Sequence, residues 1–97
     1  MAHYVMLLKF TDQGIRNVKD TTKRAAAAQE MAGKMGAKIN TVYWTMGQYD
    51  LVILADAPDD ETIAAVSVKL GSLGNVGIQT MRAFTAGEVD GILKKVG

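Results

Sequence analysis

The 97-residue sequence has no cysteine, one proline and one histidine. The missing cysteines exclude a disulfide framework, a thiol nucleophile and any Cys-based metal site. A lone histidine excludes a multi-His metal centre within one chain. No HExxH, P-loop or Ser-His-Asp arrangement is present, so neither a metal nor a cofactor is expected. Charge of one sign is also lacking: eleven Lys+Arg against ten Asp+Glu leave +1. That balance argues against a nucleic-acid binder and against a polyacidic tail. Long apolar runs are absent too. The stretch Leu51 to Ala55 falls far short of the roughly 18–20 residues that span a bilayer. No charged-then-apolar leader opens the chain, so a cytoplasmic protein with no membrane partner is expected.

What is present is enough for one small domain, with 48% hydrophobic residues and 22% charged ones. Tyr4 to Phe10 reads as a strand that is apolar on both faces. Thr11 to Gly14 breaks it with turn residues. An alanine-rich helix begins near Thr22. Ala25, Ala28, Met31 or Ala32, and Met35 fall on one face, and Gly36 stops it. Lys38 to Met46 alternates as a second strand, with Val42, Trp44 and Met46 expected to oppose Ile39 and Tyr43. A break at Gly47-Gln48 and a third strand over Tyr49 to Ala57 require an antiparallel hairpin. Pro58 to Glu61 signals a helix start, and Ile63, Val66, Leu70 and Leu73 form its apolar stripe. Gly71 to Gly77 closes this helix and enters a strand, the reverse of a phosphate loop. Val76 to Phe84 is the fourth strand. Thr85 and Glu88 make a capping-box pattern before a short helix with Val89, Ile92, Leu93 and Val96 on its apolar side.

The order β-α-β-β-α-β plus a final helix predicts an α+β, ferredoxin-like antiparallel sheet with both long helices on one face. Yet the strands, the second and third among them, are apolar on both parities. An uncovered sheet face of this kind is unusual in a monomer. A second copy packed sheet to sheet would cover it, giving a homodimer, or a higher homo-oligomer, with a barrel-like interior. The competing solution folds the C-terminal helix over that face.

Polar residues that interrupt the apolar pattern are the candidate site. Asp50 is a candidate base, and Asp50 with Arg82 could pair or hold a polar ligand. Tyr43, Tyr49 and Lys9 are further ligand-binding candidates. His3, on the same strand face as Lys9, is a weaker one. Arg16, Lys19, Lys23 and Arg24 read as a solvated basic helix face.

Thr11 to Asn17, Val18-Lys19-Asp20, Tyr43 to Asp50, Leu70 to Val76 and Thr80 to Thr85 together resemble the GYD domain family. The namesake motif reads Gly47-Gln48-Tyr49-Asp50, with Gln48 interposed between Gly and Tyr. The resemblance spans about Tyr4 to Glu88. It implies a dimeric α+β barrel and no particular reaction. It singles out Gly47, Tyr49, Asp50 and Arg82, with Gly14 and Lys19 in the first loop; Gly47 and Gly14 are expected to serve turns. Three functions are compatible with these residues. One is a small-molecule binding protein with an apolar ligand between the dimer sheets. The second is a cofactor-independent enzyme of monooxygenase or isomerase type using Asp50 as base. The third is a structural or assembly protein with no site.

Overall fold

The computed structural model describes residues 1–97. Four strands make one antiparallel sheet: β1 (Ala2–Phe10), β2 (Lys38–Trp44), β3 (Leu51–Ala57) and β4 (Val76–Ala83). Their spatial order is β2-β3-β1-β4. The central strands β1 and β3 are those with apolar residues on both parities. Each of the two crossovers carries a long helix, α2 (Thr21–Lys34) and α3 (Asp60–Ser72). The architecture is therefore the expected split βαβ arrangement.

Local chemistry accounts for the ends of these elements. Asp59 accepts the Thr62 amide at 2.8 Å and starts α3. Gly36, with φ of +93°, ends α2 in the left-handed region that glycine adopts without strain. Thr85 and Glu88 form the reciprocal capping box that starts α4 (Ala86–Leu93). Thr11 to Gly14, expected as a plain turn, holds more structure. Thr11 accepts the Gly14 amide and caps a short helix, α1 (Asp12–Arg16), which a 3-10 turn over Val18–Asp20 joins to α2.

The core lies between the sheet and the helices. Tyr4, Met6 and Leu8 of β1 and Leu51, Ile53, Ala55 and Ala57 of β3 are buried there, with Ile63, Val66 and Leu70 of α3 and Ala32 of α2. Leu73, the expected last member of the α3 stripe, lies past the helix end and is exposed.

The parity expected for β2 is corrected. A bulge between Ile39 and Thr41 inserts one residue, so Ile39 pairs with Ala55 while Val42 pairs with Ile53. Both then face the helices, while Lys38, Thr41 and Tyr43, opposite Asp56, Leu54 and Val52, join the other face. Asn40, the extra residue, donates its amide to Asp56 at 2.9 Å.

No helix covers the second sheet face. Val5 and Leu7 of β1, Val52 and Leu54 of β3, and Met81 of β4 lie on it, by their register and alternation. Helix α4 makes no extensive contact with any other element, touching the sheet mainly through Glu88 beside His3 and Arg82, and the molecule measures 51 × 31 × 18 Å. Its Val89, Ile92 and Leu93 are exposed, as is Val96 just beyond it. The C-terminal helix thus leaves the open face uncovered.

Candidate functional site

Asp50 sits in the loop joining β2 to β3, one residue before β3 begins. Its backbone amide donates to Leu8 O at 2.8 Å, and its carbonyl accepts the Thr45 amide at 2.8 Å. Its carboxylate accepts the Phe10 amide, also at 2.8 Å. The side chain therefore satisfies a backbone donor at the end of β1, a use that needs an acceptor in this position whatever the protein does. The loop is closed further by Thr45 Oγ1 donating to Tyr49 O, with Gly47 at φ +108° supplying the reversal. Asp50→Ala is expected to cost about 1–3 kcal/mol, because it orphans the Phe10 amide. Asp50→Asn, which keeps an acceptor, should cost less. Urea unfolding of the two variants checks this order.

Arg82 lies at the other end of the sheet. It pairs with Tyr4 across β1 and β4, whereas Asp50 follows the Leu8–Leu51 pair, so roughly 17 Å of strand separates them. The expected Asp50–Arg82 pairing is thus corrected. Arg82 instead stacks on the Phe84 ring at 4.5 Å and on Tyr4 at 5.6 Å. It donates to the His3 and Ala83 carbonyls and lies 3.7 Å from Glu88. These contacts make it a brace for the β4–α4 corner.

The other three ligand candidates are brought together, on the open face. Tyr43 of β2 is aligned with Val52 and, through β3, with Leu7. Tyr49 reaches across β1 and donates its hydroxyl to Gln79 of β4 at 2.9 Å. Lys9 has the same parity as Leu7 and is exposed. These residues form one end of an apolar face. They border it without converging on a buried point.

The opposite end of that face holds a network built around His3. His3 Nδ1 lies 2.6 Å from Asp56 Oδ1, and His3 Nε2 lies 4.0 Å from Glu88. The Asn40 amide first, and the His3 hydrogen bond second, hold the Asp56 carboxyl below its usual range. Asp56, Asn40 and Glu88 were not among the sequence candidates. The strand alternation carried a signal for one of them: His3 and Asp56 are directly opposed in the β1–β3 register. Asn40 joins only because of the bulge.

Beneath the sheet, the Tyr4 hydroxyl donates to Asp60 Oδ1 at 2.6 Å. Burial, reinforced by the Asp60 carboxylate, pushes this phenol up to about 12. A pKa raised above the unfolded value of 10.0 stabilises the fold fully below that pH. The contribution is lost as pH rises from about 10 to about 12, and two units correspond to roughly 2–3 kcal/mol. Urea unfolding at successive pH values should show this extra alkaline loss, and Tyr4→Phe should abolish it.

The most apolar cavity in the chain lies on this helix side, away from the face where a dimer cavity is expected. It measures about 480 Å³, and 13 of its 17 lining residues are hydrophobic. Helix α2 packs mainly on β2, and α3 on β4 and β3, while the two helices scarcely touch. The space between them, floored by β1, β2 and β3, is this cavity.

A protein named "Glutamine synthetase and cystathionine beta-lyase binding protein", from Thermus thermophilus, is 28% identical over 97% of this chain and 100% of its own length. The solved structure of TTHA0845 from the same organism superposes with a TM-score of 0.58 at 26% identity, over 89% of this chain and 96% of that one. The crystal structure of MtbAldR shares the fold at a TM-score of 0.67, with 10% identity over 87% of this chain. The chain spans about half of that longer protein, 53% of its length. The GYD domain matches residues 4–93, almost end to end. With the sheet order, the hairpin loop and that match in agreement, the chain belongs to the GYD domain family.

Proposed function

We propose that this protein is a non-catalytic, homodimeric binding module that docks on partner enzymes. The observation that carries this reading is the uncovered sheet face. It presents Val5, Leu7, Val52, Leu54 and Met81 in adjacent rows with no element of the chain above them. Sheet-to-sheet pairing of two copies would bury those rows at the usual spacing of about 10 Å. Helix α4, with the apolar residues Val89, Ile92 and Leu93 exposed, gives the dimer an additional surface. A partner-binding role is supported by the full-length relative named for binding glutamine synthetase and cystathionine beta-lyase.

An Asp50-based enzyme is less well supported, because that carboxylate is engaged by the Phe10 amide at 2.8 Å. The test is titration of the purified protein against glutamine synthetase and cystathionine beta-lyase from the same organism. Calorimetry with at least one of them is expected to give a saturable complex with Kd of about 10 μM or tighter. No complex with either enzyme at several times that concentration would overturn the partner reading.

A further inference from the structure

The alanine run of α2 has so far had no role. Ala25, Ala27 and Ala28 face the cavity, while the sheet opposite offers Ile39, Val42, Leu51 and Ile53. A helix packing on such a floor ordinarily fills the interval with larger side chains, since interiors are close-packed. Here the small residues leave the interval open. Its volume of about 480 Å³ falls within the range of small-molecule sites.

The charges at the cavity have one sign. Arg24 and Lys69 are the charged lining residues, and no carboxylate lines it. Arg24 is held in place by donating to the Asn17 and Gly14 carbonyls. Lys69, exposed on α3, takes part in none of the ion pairs of the chain. Glu30, in the shallow depression beside Lys69, is paired with Lys34 at 3.6 Å. An apolar chamber with a cationic edge matches a molecule with an apolar body and an anionic head. The lining is mainly aliphatic, with Phe10 as its aromatic member.

We propose that the cavity between α2 and α3 binds an amphiphile with an aliphatic body and a single anionic head group, Lys69 meeting the head. A carboxylate or a phosphate head would satisfy the same chemistry. The site lies on the opposite side of the sheet from the face assigned to self-association. Failure of one reading therefore leaves the other measurable.

The experiment is calorimetric titration of the full chain, below micellar concentrations, with decanoate, decyl phosphate, decanol and decyltrimethylammonium. The anions are expected to bind once per chain, at least about tenfold tighter than the cation. Preference between decanoate and decyl phosphate then names the head group. Lys69→Gln, an exposed and structurally mild change, should weaken the anions about tenfold and leave decanol unchanged. Ala28→Phe should fill the chamber and abolish binding of all three. Absence of anion binding, equal binding of the cation, or insensitivity of anion binding to Lys69→Gln would overturn the proposal. The last of these outcomes remains decisive if Ala28→Phe fails to fold.

Discussion

Leu54→Arg is expected to convert a homodimer into a monomer, weakening self-association by a factor of at least about 100. Leu54 lies on β3, 38% exposed, on the face that no helix covers. It is opposite Val5 of β1, which in turn is opposite Met81 of β4. The three form an apolar row across the middle of the sheet. In a two-fold interface each chain would bury this row against its partner's copy. A guanidinium there must be desolvated, and the symmetry brings in a second one. Within a single chain the same side chain remains in water, so the fold should keep its stability. Val68→Arg is the control: Val68 is 72% exposed on α3, outside this face. Sedimentation equilibrium over a range of concentrations should show a dimer for the parent and for Val68→Arg, and a monomer for Leu54→Arg. A Leu54→Arg protein as dimeric as the parent would sink the sheet-to-sheet arrangement.

That prediction was legible from parity alone. Alternation along Tyr4 to Phe10 and Leu51 to Ala57 reports two apolar faces without knowledge of any neighbour. Capping signals at Asp59 and Thr85 were equally local, and both are present in the structure. What depended on relations between elements was less accessible. The bulge at Asn40 reverses the parity of Ile39 relative to Val42, and no residue type announces it. Asp50 and Arg82 both interrupt apolar strands, but register places them at opposite ends of the sheet. The cavity is harder still to read, because its width is a distance between α2 and α3. The alanines mark one wall, and only the arrangement of the other elements shows that nothing fills the gap.

Gly14→Ala is expected to be the most damaging single-methyl addition in the chain, although Gly14 does not serve a turn. The residue is buried inside α1, and a Cβ built on it would stand 2.0 Å from Asn75 O and 2.9 Å from Asn75 C. Both are backbone atoms, so no side-chain rotation relieves the clash. The Asn75 backbone cannot simply withdraw, because several hydrogen bonds tie α1 to the α3–β4 turn. The Thr11 amide donates to Asn75 O at 3.1 Å. Thr11 Oγ1 donates to Gly74 O, and Gln13 Nε2 donates to Leu73 O at 3.1 Å. Opening the contact by about 1 Å would strain or break these bonds together. The expected cost is about 3 kcal/mol or more, a large share of the 5–15 kcal/mol typical of a whole domain. For a chain of this size the corresponding fall in Tm is about 12–24 °C. Gly33→Ala supplies the contrast, since Gly33 lies in α2 with open space around its Cβ position. That change should stabilise by about 0.4–1 kcal/mol, through helix propensity and reduced freedom of the unfolded chain. Thermal unfolding of the two variants side by side separates steric approach from generic glycine effects. The contact also closes one end of the cavity, because Leu73 and Asn75 line it and Arg24 donates to Gly14 O. Gly14→Ala should therefore weaken decanoate binding even at temperatures where the variant remains folded. Equal stability of the Gly14→Ala and Gly33→Ala proteins would show that α1 does not sit against Asn75.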